Sequence, residues 1–235
     1  MHVLIAAGSG GIGRALVAEV AARWPSAEIT ATWRSEPPPA KLPGVRWLQV
    51  DLTDEAQVAS LAESIESPRW VINAAGVLHT DAHGPEKSIR AVNADFFVEN
   101  MRVNVLPTLL LAKHFHRRFP KQSDCVFATL SARVGSIEDN RLGGWTSYRC
   151  SKAALNMALK NISIEWGRTA KQVAVVALHP GTTDTALSKP FQAGVAEQKL
   201  FSAEKTAGLL IDVVASLTPE HTGQFLAYDG SPIPW

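Results

Sequence analysis

Short apolar runs alternate with longer amphipathic stretches along the whole chain. Residues 3–7 form an apolar run that stops at glycines, the pattern of a buried parallel strand. Over residues 12–23, Ile12, Leu16, Val17 and Val20 recur at helical spacing. Residues 28–33 and 45–50 read as strands, separated by a loop that holds three consecutive prolines and Pro43-Gly44. Thr53 is the expected N-cap of a helix reaching about Glu66, with Val58, Leu61 and Ile65 on one face. Residues 70–74 are the fourth expected strand, and 77–88 are polar and irregular. A long helical pattern over 95–118 is interrupted at Pro107, which supplies no N–H to a helix. Residues 125–130 and 173–178 then read as strands around a helix over 148–166, followed by a helix over 203–217 and a short last strand over 224–228.

Repeated strand–helix units with apolar strands imply an α/β fold in which helices cover both faces of a parallel sheet. One doubly wound domain spanning 1–235 is expected, with a small covering segment near 183–203. No repeat, low-complexity tract or linker interrupts the alternation.

Composition narrows what such a domain binds. Hydrophobic residues make up 46% and charged residues 19%, and the formal net charge is +1. Disorder does not fit so apolar and neutral a chain. A phosphate-backbone binder would carry a basic excess, so no nucleic-acid partner is expected. The longest uninterrupted apolar run, 173–178, is far short of the ~18 residues that a membrane span needs. The first residues lack a basic n-region, and Cys125 and Cys150 have neither CxxC nor metal-ligand spacing. A reducing, cytoplasmic setting is the expectation. The histidines, His79 and His83 among them, have no supporting carboxylate cluster, so no metal site is assigned.

The glycines after the first strand carry the first chemical signal. Gly8, Ser9, Gly10, Gly11, Ile12 and Gly13 lie between a strand and a helix, where a diphosphate can approach free backbone N–H groups at the helix start. A nucleophile elbow is discounted, because Ala7 stands where that motif needs glycine. About 20 residues further on, an acid would grip the ribose of NAD. Trp33 and Arg34 stand there instead, and Arg34 is suited to a 2′-phosphate. NADP(H) is therefore the preferred cofactor and NAD(H) the second choice. Glu36 would oppose this preference, and residues 37–39 are expected to turn it away.

The second signal is Tyr148 and Lys152, four apart at a helix start and so on one face. Ser131 ends the fifth strand, at the sheet edge where ligands bind, and Asn104 lies beside the Pro107 break. Carbonyl reduction needs a proton for the developing alkoxide; a tyrosine beside an ammonium can supply it, and a serine can hold the oxygen.

Together these stretches resemble the short-chain dehydrogenase/reductases, and among them the C-factor/sniffer type of small carbonyl reductase. Gly10-Gly11-Ile12-Gly13, Asp51-Leu52-Thr53, Asn73-Ala74-Ala75-Gly76, Asn104-Val105, Ser131, Tyr148 to Asn156 and His179 to Thr185 follow in the family's order. The resemblance implies a Rossmann-type fold with Tyr148 as general acid/base. By it, Lys152 lowers the tyrosine pKa and binds the nicotinamide ribose, Ser131 orients the carbonyl, and Asn104 anchors a relay water. Asp51 and Leu52 would meet the adenine, Asn73, Ala74, Ala75 and Gly76 would line the cofactor cleft, and Pro180, Gly181, Thr182, Thr183 and Thr185 would hold the nicotinamide end. Arg133, Trp145, Leu187 and Phe191 are assigned to the substrate pocket. Ala6-Ala7 replaces the family's usual Thr-Gly, and Ala74 its second asparagine. The expected reaction is NADP(H)-dependent hydride transfer on a carbonyl or secondary alcohol, with a non-catalytic NADP-binding regulator as the rival. A homodimer or homotetramer is expected, since the helices over 104–116 and 155–166 are apolar on more than one face.

Overall fold

A computed structural model describes residues 1–38 and 42–235; Pro39, the last of the three consecutive prolines, lies outside them. In chain order the elements are β1 (His2–Ala6), α1 (Gly11–Arg23), β2 (Glu28–Trp33), β3 (Val45–Gln49), α2 (Glu55–Glu63), β4 (Pro68–Asn73), α3 (Ala94–Asn104), α4 (Leu106–Phe115), β5 (Cys125–Leu130), α5 (Thr146–Thr169), β6 (Val173–His179), β7 (Thr182–Thr183), β8 (Leu200–Phe201), α6 (Ala203–Ser216) and β9 (Gln224–Ala227). Seven strands form one parallel sheet in the order β3-β2-β1-β4-β5-β6-β9, and β7 pairs with β8 separately.

The period-two alternation of the strands divides the core into two layers. On β1, Leu4 and Ala6 join the layer under α2, α4 and α5, while Val3 and Ile5 join the layer under α1 and α6. Strand β5 divides in the same way, with Phe127 on one side and Val126, Ala128 and Leu130 on the other. Both faces of the central strands are dry, which explains why these strands read as unbroken apolar runs. The order reverses between β1 and β4, so the loops after these two strands diverge and open a crevice at the carboxyl edge.

One local expectation is corrected. Asp54, not Thr53, caps α2, accepting from the N–H groups of Ala56 and Gln57. The Thr53 hydroxyl already donates to Asp51 and accepts from Arg102, so it is unavailable as a cap. Cys150, on α5, is exposed, and Cys125 is buried. The Pro107 break falls as expected: α3 stops at Asn104, and Pro107 sits in the first turn of α4.

Candidate active site

Two cavities open at the carboxyl edge. The larger, about 560 Å³, runs from the β1–α1 loop past the ends of β2 and β3 to the loop after β4. Ser9, Gly10, Trp33, Arg34, Asp51, Leu52, Ala74, Ala75 and Gly76 line it, all of them expected at the cofactor. The glycines divide their roles. A Cβ on Gly13 would stand 2.3 Å from the Ala7 carbonyl oxygen, so Gly13 lets α1 approach the strand end. On Gly11 it would strike Thr185 at 2.6 Å, and this close approach brings the segment after β6 against the loop. Gly8 is likewise packed, against Ala31, rather than open to the cleft. Ala7 takes the left-handed conformation, φ 58°, in which glycine is the unstrained residue. Thr32 holds it there, its hydroxyl accepting from the Ala7 N–H at 2.8 Å.

The N-cap of α1, Gly10, offers no side chain to the first-turn N–H groups. Uncapped donors facing a cleft with Arg34 at its rim suit a dinucleotide phosphate. Glu36 lines the same cleft. Asp51 is held below the usual carboxylate range: burial pushes it up, but hydrogen bonds from Thr53 and the charges of Arg34 and Arg102 prevail.

The smaller cavity, about 230 Å³, is lined mainly by apolar side chains. Ser131, Arg133, Trp145, Tyr148, Pro180, Gly181, Thr182, Thr183, Thr185, Leu187 and Phe191 all meet it, so the four expected substrate-pocket residues are brought together. Ile12, assigned to the cofactor, borders this cavity instead, through the close approach of α1 to Thr185. The segment between β7 and β8 folds over the cavity in 3₁₀ turns, and Phe191 packs on Trp145 at 5.3 Å and on His79 at 5.7 Å.

Helix α5 supplies the polar stripe beside this cavity. Tyr148, Lys152 and Asn156 fall four residues apart along it and pack toward the end of β5. Lys152 is buried, and its Nζ donates to the Leu130 carbonyl at 3.0 Å while lying 5.7 Å from the Tyr148 ring centroid. Burial pushes the lysine down to about 8 and raises the tyrosine. The rise at Tyr148 comes from desolvation of the phenolate, and the Lys152 amine lies over the ring. The Ser131 hydroxyl donates to Asn156 Oδ1 at 2.6 Å.

Asn104 is tied down at three points. Its carboxamide exchanges hydrogen bonds with the N–H (2.7 Å) and carbonyl (2.9 Å) of Val77, and Nδ2 also donates to Ser151 Oγ at 2.8 Å. Its own carbonyl loses its helical partner, because the Thr108 N–H turns to Val105 at 3.1 Å. Asn73 lies under the cleft floor rather than on its lining, accepting from Ala75 N–H and donating to Thr108.

Several functional supports went unassigned in the sequence: Thr32, Thr108, Ser151, Asn156 and, above all, Glu86. Glu86 is buried, and its carboxylate accepts from both the N–H (3.1 Å) and the hydroxyl of Ser147 at the start of α5. Its backbone carbonyl accepts from Trp145 N–H at 2.5 Å, and Trp145 itself sits at φ 50°. A polar residue inside an otherwise apolar helix stripe, as at Ser151 and Asn156, was the one available signal.

A doubly wound sheet with a glycine-lined cleft and a buried Tyr–Lys–Ser cluster at its carboxyl edge is the fold of a dinucleotide-dependent oxidoreductase. The chain belongs to the short-chain dehydrogenase family, whose model matches residues 1–196. It is 31% identical over 190 residues to a 1-hydroxy-2-glutathionyl-2-methyl-3-butene dehydrogenase of a Rhodococcus strain, covering 79% of this chain and 78% of that one. Among solved structures it superposes on the carbonyl reductase Sniffer of Drosophila melanogaster with a TM-score of 0.85 at 22% identity, covering 100% and 99% of the two chains. An NADPH-bound carbonyl reductase from chicken fatty liver gives a TM-score of 0.84 at 24% identity, covering 100% and 98%. Among the described residues, no helix is long and apolar enough to cross a membrane.

Proposed function

We propose that this oxidoreductase is an NADP(H)-dependent carbonyl reductase acting on a small, largely apolar carbonyl or the corresponding secondary alcohol. The observation that carries the reading is the buried Tyr148 bordering a mainly apolar cavity together with Ser131, one helical turn from Lys152. The likeness to the NADPH-bound chicken reductase and to Sniffer supports the reaction type.

The uncapped start of α1, Arg34 and Asp51 are the groups that would hold the adenine half, and Lys152 with the segment from Pro180 to Thr185 would hold the nicotinamide half. When bound, the cofactor supplies the hydride for the carbonyl carbon. Burial keeps Tyr148 protonated, so its Oη is a ready donor to the oxygen that gains charge. Ser131 shares in stabilising that oxygen. Lys152, near its titration point at neutral to mildly basic pH, supplies positive charge next to the phenol that gives up its proton. The freed Asn104 carbonyl is the acceptor that holds a water for reprotonating Tyr148. Leu187, Phe191 and Trp145 keep bulk water from the reacting groups and select apolar substrates.

The test follows NADPH oxidation against a panel of ketones, aldehydes and quinones, for wild type and Tyr148→Phe. The phenylalanine variant removes the proton donor and is expected to turn over at least ~10²-fold more slowly while binding NADPH normally. Near-wild-type turnover in that variant would overturn the assignment. NADPH binding without turnover of any substrate by wild type would favour the regulatory reading instead.

A further inference from the structure

Asn156 is 3% exposed, and its Nδ2 is among the few buried side-chain polar atoms with no hydrogen-bond partner. Its Oδ1 meanwhile accepts the Ser131 proton at 2.6 Å. This arrangement has two consequences. An amide N–H₂ is left buried and unsatisfied, which is costly. The Ser131 proton is also committed to Asn156 and so is absent from the cavity that Ser131 borders. Both are removed by one motion. Turning the carboxamide half a revolution exchanges two ends of almost identical shape and presents Nδ2–H to Ser131 Oγ. The serine oxygen then accepts, and its own proton is released toward the cavity.

We infer that Asn156 is a positioning residue for Ser131: its carboxamide decides whether the serine proton faces α5 or the substrate oxygen. The inference rests on the reading of Ser131 as the group that stabilises the reacting oxygen. With Nδ2 donating, the serine hydroxyl is polarised and becomes a better donor to that oxygen. With Oδ1 accepting, Ser131 presents only lone pairs, which repel a developing alkoxide. Asn156 does not border the cavity, so it acts through Ser131 alone. Its place follows from the helix period: one turn beyond Lys152, whose Nζ binds the Leu130 carbonyl, the next residue on the same stripe meets the next residue of the strand end.

Asn156→Asp tests this with little change of shape, since a carboxylate can only accept. The kcat for carbonyl reduction is expected to fall about 10²-fold, the scale of losing one oxyanion donor, with NADPH affinity measured by fluorescence unchanged. As pH is lowered, the new carboxyl gains a proton and becomes a donor, so kcat of Asn156→Asp should climb back while the wild type does not. In a Ser131→Ala background the same substitution should have almost no further effect, because the group it acts through is gone. An equal fall in both backgrounds, or wild-type kcat in Asn156→Asp, overturns the inference. Neutron diffraction from crystals of the wild-type protein soaked with NADP⁺ gives an answer that does not depend on turnover. The deuterons of Asn156 Nδ2 should lie toward Ser131 Oγ, and the Ser131 deuteron toward the cavity. A Ser131 deuteron resting on Asn156 Oδ1 in that complex overturns the inference. A wild type that reduces no carbonyl on the panel would overturn the functional reading instead, leaving the neutron map to decide the role of Asn156.

Discussion

Removing the Glu86 carboxylate should loosen α5 at its first turn. Glu86 lies in the irregular segment between β4 and α3, yet its side chain is 4% exposed and directed at the start of α5. It accepts from Ser147 N–H and from Ser147 Oγ, so one carboxylate serves an N-terminus whose N-cap, Trp145, offers no side-chain acceptor. Hydrogen bonds to a charged group contribute about 1.5–3 kcal/mol each, and a buried N–H without a partner carries its own desolvation penalty. The helix dipole adds a smaller favourable contribution, about 0.3–1 kcal/mol. The serine hydroxyl can rotate to a new acceptor, so the lower end applies, and Glu86→Ala should lose about 3–4 kcal/mol of unfolding free energy. Glu86→Gln keeps one acceptor and should lose about 1–2 kcal/mol. Urea unfolding of the three proteins, with slopes checked for equality, measures both. The loss should extend to function, because the Glu86 backbone also fixes Trp145, which borders the smaller cavity proposed to take the substrate. KM for the carbonyl should rise while NADPH affinity is retained, since Glu86 does not border the larger cleft. A Glu86→Ala variant within about 1 kcal/mol of wild type would show that water or a neighbouring group satisfies Ser147, and the latch argument would fail.

Three other outcomes follow from the same geometry. Arg34→Ala should weaken NADPH binding about 10- to 150-fold, the value of one charge-assisted bond, and leave NADH binding unchanged; titration by nicotinamide fluorescence decides, and a wild type that prefers NADH refutes the role of Arg34. His179 is pushed down to about 4 by burial and by the charge of Arg133, against the weaker pull of Asp229. It therefore stays neutral in the fold while the unfolded chain takes up a proton below about 6.5, so its contribution is complete above 6.5 and is lost as pH falls toward 4, by up to about 3 kcal/mol. Urea midpoints over that window should fall less steeply for His179→Gln, and parallel curves would refute the assignment. Exposed Val98, Leu109, Met157 and Ile164 on α3, α4 and α5 support self-association, so light scattering should report a multiple of 25.3 kDa; a purely monomeric mass at micromolar concentration would refute it.

The alternation of elements is written in the residue pattern, because burial on both faces of a parallel sheet forces apolar runs and helix packing forces a 3.6-residue period. The strands at 28–33 and 125–130 were legible to the residue for that reason. The Tyr148–Lys152 spacing was legible because both residues lie on one helix, and the glycine loop because strand, turn and helix are contiguous. Even the split of the 95–118 pattern was legible, since a missing N–H at Pro107 is a local fact. What the sequence left open depends on groups far apart in the chain. Thr53 and Asp54 are equal candidates as caps until Asp51 and Arg102 engage the threonine. Glu86 reads as one more charge in a polar loop until the fold brings it 61 residues away to Ser147. The surroundings of Tyr148 depend on packing in the same way: spacing shows that a lysine is near, but only packing shows that it lies over the ring while desolvation acts on the hydroxyl. Periodicity records which way a side chain faces; burial, partner and protonation are set by what the other elements place in front of it.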